Sequence, residues 1–199
     1  MDNMNHLRDL LVYDVHDLYS AEEQIIDALP AMISKANNQQ LKQALERHLT
    51  VTKQQRDRLD RVKQLLGEKS KNDDANIFSS LFGSGSTCKG MEGIISEGEK
   101  VMGIDMSAEV MDAAIIECAQ KVEHYEICGY GTAKAYAEEL GLIDVAQLLQ
   151  QTLMEEYDAD DSLTSLAIGS VNRKAERDTT LNRSTAGVGS TTAGTNRNL

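Results

Sequence analysis

Glu123-His124-Tyr125-Glu126 lies in the middle of a long amphipathic stretch that runs from Ser107 to Leu140. It sets two carboxylates and an imidazole within one turn of a predicted helix, beside apolar residues. Glu123 and Glu126, at i and i+3, share a face with Ile116, Ala119, Tyr130 and Ala133. Ionised acids on a core-facing helix are costly unless something pairs with them. Where several helices each contribute one acid, a metal ion is the commonest reason for such an arrangement.

Three further helical patterns surround this one. From about Met4 to Ala36, Leu7, Leu11, Val15, Leu18, Ile25, Leu29 and Ile33 recur at steps of three, four or seven, with Pro30 expected to kink the helix. From about Asn38 to Leu66 the stripe is Leu41, Leu45, Leu49, Leu59, Val62 and Leu66, and Gly67 reads as a C-cap. Ser107 and Gly141 bound the third pattern, and the fourth runs from about Ile143 to Val171 through Leu148, Leu149, Leu153, Leu163, Leu166 and Ile168. The link between the first and second patterns and that between the third and fourth are short, so each pair is predicted to be an antiparallel hairpin. Gly67 to Met106 is a long connection that holds Gly83-Ser84-Gly85-Ser86 and then a short helix near Cys88–Ile95. The expected fold is therefore all-α: a four-helix bundle of two hairpins joined by a long crossover containing a short helix.

Composition agrees. One Pro, no Trp and two Phe in 199 residues, with abundant Ala, Leu, Glu, Gln and Lys, favour helix over sheet. Residues 1–170 are expected to form one domain, and 171–199, rich in Ser, Thr, Gly and Asn, a flexible tail. The chain carries a formal charge of −12; the tail, with five basic and two acidic residues, is net basic, so the body is the acidic part. That balance argues against nucleic acid as the partner and suits a field that collects cations. No apolar run of spanning length and no signal peptide are evident, and three unpaired cysteines, Cys88, Cys118 and Cys128, fit a reducing cytoplasm. Cys118 and Cys128 fall on one helix, too far apart along it to bridge.

Acids recur at mid-height on other helices. Glu22 lies among Leu18, Ile25 and Ile26; His48 sits beside Leu45 and Leu49; Glu156 and Asp160 fall between Leu153 and Leu163. Taken singly, each reads as a solvated acid, an ion-pair partner or a hydrogen-bonded boundary histidine. His124 points about 100° from Glu123 and suits a ligand-orienting or subunit-facing role, and Tyr130 and Tyr136 read as packing residues. Together, the acids offer an oxygen-rich site with imidazole, which suits iron or manganese. The halves also echo one another: Leu45, Leu49 and Thr52 match Leu149, Leu153 and Glu156 at identical spacing, and Glu22 takes a place like that of Glu126. Such a repeat implies a pseudo-two-fold axis with a site near the middle of the bundle.

Five motifs in order carry a family resemblance. These are Asp17-Leu18-Tyr19-Ser20-Ala21-Glu22-Glu23-Gln24 with Ala28-Leu29-Pro30; His48-Leu49, Thr52 and Arg58-Leu59; Cys88-Lys89-Gly90-Met91-Glu92-Gly93-Ile94-Ile95; Ala119 to Ile127 with Tyr130-Gly131-Thr132; and Leu149, Thr152-Leu153, Glu155-Glu156 and Asp160. Over roughly Leu7 to Ile168 the chain resembles the YciF-like proteins, bacterial stress-associated and ferritin-like. The resemblance implies a rubrerythrin-related bundle, usually dimeric, with a candidate di-iron centre. Carried across, it implies Glu22, Glu123, Glu126 and Glu156 as ligands, with His48 and Asp160 in weaker roles. The activity it implies is oxidation of Fe(II) by a small-molecule oxidant, peroxide or oxygen; a non-enzymatic stress-response bundle is the alternative. The chain departs from the pattern twice. No histidine has Glu three residues before it, and Thr50 and Val51 stand where many relatives carry Glu. One metal, a distorted pair and none are all compatible with these departures.

Overall fold

In the computed structural model, residues 4–67 and 87–177 are described. Gly83–Ser86 and the tail from residue 178 lie outside them. The elements are α1 (Leu7–Lys35), α2 (Gln39–Leu65), α3 (Lys89–Met102), α4 (Ala108–Glu139) and α5 (Ile143–Leu166). A single π-helical turn, Ala167–Val171, follows α5, and the chain stays helical through residue 177. Helix therefore continues past the boundary expected at residue 170. Among the described residues there is no strand. The all-α bundle expected from the sequence is the fold observed.

Local chemistry sets the ends. Asp9 accepts from the backbone N–H of His6 at 3.0 Å at the start of α1, and the helix then runs unbroken through Pro30. Asn38 caps α2 by accepting from the N–H groups of Gln40 and Leu41. Gly67 follows α2 with φ +84°, the left-handed conformation that a C-terminal glycine supplies without strain. Gly141 does the same after α4 at φ +70°. There the Leu142 N–H reaches back to the Ala137 carbonyl at 2.9 Å and Gly141 N–H to Glu138 at 3.0 Å, the paired bonds of a Schellman stop.

The four long helices pack as a ring in the order α2, α1, α4, α5 and back to α2. α3 lies outside the ring against α1 and α4. The α1–α2 turn is tied to the bundle by Asp112 of α4, which accepts from the N–H groups of Asn37 (2.6 Å) and Asn38 (2.9 Å). The start of α3 docks through a small polar network. Cys88 donates its thiol to Asp17 at 3.0 Å, Tyr125 donates to the same carboxylate at 2.8 Å, and the Cys88 N–H donates to Ser20 Oγ at 3.0 Å. Burial first, then that hydrogen bond to Asp17, pushes the Cys88 thiol up, so it stays a protonated donor. A Cβ on Gly90 would lie 2.7 Å from the Tyr125 ring, so only glycine permits this approach. At the other end Lys35 donates to the Met102 carbonyl at 2.9 Å.

The apolar core falls into two clusters. One joins Ile25, Leu29 and Met32 of α1 to Leu41 and Leu45 of α2, Ile115 to Val122 of α4, and Leu163. The other joins Leu11, Val15 and Leu18 to Leu59 and Val62 of α2, Tyr130 to Ala137 of α4, and Leu149 and Leu153. Between them on every long helix lies a polar step: Glu22 on α1; His48, Thr52 and Gln55 on α2; Glu123 and Glu126 on α4; Glu156 on α5. The candidate site is this layer.

Candidate metal centre

Glu22, Gln55, Glu126 and Glu156 are fully buried, Glu123 is 2 % exposed, and the side chain of His48 is 10 % exposed. One donor atom from each of His48, Glu123, Glu126 and Glu156 lies within 4.8 Å of all the others. Bonds of about 2.0–2.2 Å put two ligands of one ion at most about 4.4 Å apart, so a slight contraction suffices. His48 Nε2 already stands 3.4 Å from Glu123 Oε1.

The hydrogen bonding is conspicuously incomplete. Glu22 accepts one bond, from the Tyr130 hydroxyl. Glu156 accepts from the Gln55 amide, which also donates to Glu155 at 3.2 Å. Glu22 Oε2, His48 Nε2, Gln55 Oε1, Glu123 Oε2, both oxygens of Glu126 and Glu156 Oε2 have no hydrogen-bond partner. Among the described residues, every buried side-chain nitrogen or oxygen without such a partner belongs to this one layer. Native interiors rarely leave such atoms unmet, and each costs on the order of 1–3 kcal/mol. All but Gln55 Oε1 and His48 Nε2 are carboxylate oxygens, acceptors with nothing to accept, and the Gln55 oxygen is an acceptor as well. A cation satisfies such a set, and the donors therefore fit a first-row divalent metal.

Without an ion, protons must do so. Burial, followed by the neighbouring carboxylates, drives Glu22, Glu123 and Glu126 well above the usual carboxylate range. Burial raises Glu156 to about 7. Burial also lowers His48 to about 4, so its imidazole is neutral at pH 7 and its lone pair is free for a metal. Tyr130, buried against Glu22 and Glu126, is likewise pushed well above 10 and remains a hydroxyl donor.

Asp160 is not in this layer. One turn beyond Glu156, it is 20 % exposed and accepts from Gln120 at 2.8 Å, with His124 Nε2 3.5 Å away on the surface. The i+4 step carries it around α5 into the groove against α4, outside the four-residue group, though its charge still acts on Glu123. Glu22 stands outside the tight four-residue group, but its charge is among those that raise Glu126. Sequence reasoning missed Gln55 and the role of Arg58. The Arg58 guanidinium grips both oxygens of Glu155 at 2.9 Å and donates to Thr152 at 2.6 Å, pinning α2 to α5 beside the site. The signal for Gln55 was present: the buried stripe of α2 turns polar at His48, Thr52 and Gln55 before Leu59 resumes it.

The family model described as a domain of unknown function, DUF892, matches residues 6–176. The chain belongs to this YciF-like family. Protein YciF of Escherichia coli (strain K12) is 41 % identical over 174 residues, 87 % of this chain and 98 % of that one. The crystal structure of that stress protein superimposes with a TM-score of 0.73 at 39 % identity, covering 85 % of this chain and 99 % of that one. YcfI from Rhodopseudomonas palustris gives the same TM-score at 40 % identity, over 82 % of this chain and 96 % of that one. The YciF-like fold thus spans α1 to the end of the described helices, and the buried acid layer lies within the matched region. Among the described residues no helix is long and apolar enough to cross a membrane.

Proposed function

We propose that this YciF-like protein holds a carboxylate-bridged iron or manganese centre in its bundle core and uses it to oxidise Fe(II) with peroxide or oxygen under stress. The observation that carries the reading is the confinement, among the described residues, of the unpartnered buried polar atoms to one layer fed by the four long helices. His48, Glu123, Glu126 and Glu156 would hold an ion. When bound, iron supplies one-electron redox chemistry. With peroxide the balance is two Fe(II), one hydrogen peroxide and two protons going to two Fe(III) and two waters. The chain's part is to fix the donors. Tyr130 orients Glu22, Gln55 orients Glu156, and the Arg58–Glu155 pair anchors α2 to α5 across the site. The two apolar clusters above and below exclude water, which strengthens every charge interaction within the layer.

One observation favours a second reading, a stress-response bundle with no metal. Thr52 stands at the α2 position that the internal repeat pairs with Glu156, and it turns its hydroxyl to the His48 carbonyl at 2.8 Å. In that reading the remaining acids stay protonated. The test is the consumption of Fe(II) on adding peroxide, followed with an Fe(II)-specific chelating dye. Wild type is expected to exceed Glu126→Ala by at least about tenfold. Equal rates in both proteins, each folded, decide for the metal-free reading. As part of the proposal the protein works as a cytoplasmic homodimer; the free thiols of Cys88, Cys118 and Cys128 favour a reducing compartment, and sedimentation of the purified chain measures the assembly.

A further inference from the structure

The two apolar clusters close the acid layer from above and below, so among the described residues the way in runs sideways, between neighbouring helices. The ring has four such gaps. The α1–α4 gap is covered by the start of α3, where Cys88 and Tyr125 both donate to Asp17. The α5–α2 gap is bridged by the Arg58 guanidinium, held between Glu155 and Thr152, and a fixed positive charge there disfavours an approaching cation. In the α1–α2 gap, one turn before Glu22, the Lys63 ammonium lies 3.3 Å from the centre of the Tyr19 ring, and Arg56 acts on the same tyrosine.

The α4–α5 gap is lined differently. One turn from Glu156 along α5 and from Glu123 along α4, Asp160 meets Gln120. The Gln120 amide spends both hydrogens there, on Asp160 Oδ1 and on Thr164 Oγ1, each at 2.8 Å. His124 Nε2 stands 3.5 Å from the same Asp160 oxygen. The His124 side chain is 68 % exposed, that of Asp160 20 %, and Glu123 2 %, so these donors descend in steps from solvent to the layer. The charge of Asp160 acts on Glu123. Glu123 in turn places one oxygen 3.4 Å from His48 Nε2 and keeps the other buried without a partner. A groove of about 380 Å³ opens beside His124, between Glu117 and Gln120 of α4 and Ala167 and Asn172 beyond α5. Lys121, on its rim, is held by Glu117 at 2.7 Å.

The geometry points to the α4–α5 gap as the route by which divalent cations enter the acid layer, His124 and Asp160 taking the ion from solvent and passing it to Glu123. The inference rests on the metal-centre reading above and concerns the path to the centre, with Asp160 and His124 as residues of transit. Each step exchanges a water for a protein donor, so the ion is never stripped of its shell at once, which would be the costly way in. An ion paused at Asp160 has one carboxylate and one imidazole, whereas the buried group offers three carboxylates and an imidazole, so it moves inward. A route speeds entry and exit alike, and equilibrium affinity stays where the resident ligands set it.

The experiment mixes full-length, chelator-treated protein rapidly with Mn(II) and follows the loss of the free ion's electron paramagnetic resonance signal. Release is followed after adding excess chelator, and affinity comes from an equilibrium titration. Wild type is expected to take up Mn(II) at a rate that falls with added salt. Asp160→Asn, which keeps an acceptor for Gln120, is expected to slow uptake and release together by about tenfold, to leave the dissociation constant within about threefold, and to flatten the salt dependence. His124→Gln, a surface change, is expected to slow both by about threefold, and it decides the matter if Asp160→Asn fails to fold. Asp158→Asn, which removes the same charge from an exposed position on α5, is expected to change neither rate. Wild-type uptake in Asp160→Asn, or in His124→Gln where Asp160→Asn does not fold, overturns the route and leaves the metal centre standing. So does affinity lost in Asp160→Asn with uptake unchanged, since Asp160 would then be a resident ligand, and so does equal slowing in Asp158→Asn. No Mn(II) bound by wild type overturns this inference and the metal centre together.

Discussion

Stripping the metal and raising the pH tests the electrostatics of the layer directly. In the metal-free protein Glu22, Glu123 and Glu126 hold their protons well above the usual range and Glu156 to about 7. An acid whose folded pKa exceeds its unfolded value stabilises the fold below the unfolded value and loses that contribution as pH rises through the folded one. His48 works in the opposite sense. Its folded value of about 4 lies below the ordinary 6.5, so its contribution is whole above 6.5 and fades as the pH falls toward 4. Between pH 4.5 and 6.5 the two trends oppose each other. Above 6.5 only the acids remain. One acid that keeps its proton in the fold while ionised in the unfolded chain costs about 1.4 kcal/mol per pH unit, or roughly 2 kcal/mol from pH 6.5 to 8. For a chain of this size that lowers Tm by about 4–8 °C, and further retained protons add to it. The assay is a thermal melt of chelator-treated protein at half-unit steps from pH 6 to 8.5, with Glu126→Gln as control. The expected curve falls with pH in wild type and falls less in Glu126→Gln, and Mn(II) flattens it by replacing protons. A metal-free Tm that is level or rises across pH 6.5–8 refutes the argument, since the acids would then already be ionised or exposed.

Two structural predictions follow from the docking contacts. Gly90→Ala drives a Cβ to within 2.7 Å of the Tyr125 ring, so α3 should lift from α1 and α4 at a cost of about 1–3 kcal/mol, read as a lower denaturation midpoint and faster amide exchange in α3. Asp112→Ala removes the acceptor for the N–H groups of both Asn37 and Asn38 and should cost about 1–3 kcal/mol by chemical denaturation, with metal affinity unchanged because Asp112 lies away from the acid layer.

Much of this was legible in the chain. The helices follow from apolar steps of three and four, and their ends from residues with one local job, such as Asn38, Ser107, Gly67 and Gly141. The acids at mid-height could be read because an ionisable residue inside an apolar stripe interrupts a regular pattern: Glu22 between Leu18 and Ile25, Glu156 between Leu153 and Leu163. Asp160 could not be placed that way. It keeps helical spacing with Glu156, yet a step of four residues turns about 40° past a full circle, enough at the edge of the stripe to carry it from core to groove. Gln55 escaped notice because its meaning lies in an atom that lacks a partner, which only the packed structure reveals. The network of Asp17, Cys88 and Tyr125 joins residues far apart in sequence, and no periodicity announces it. Pro30 lies inside α1, which continues past it to Lys35.

The most direct test of the account is the metal content of the chain purified from cells grown with added iron and manganese. The account predicts about two iron or manganese ions per chain, lost in a folded Glu126→Ala variant. Wild-type protein that emerges without metal, declines both ions when they are supplied, and melts at the same temperature with or without them would contradict it.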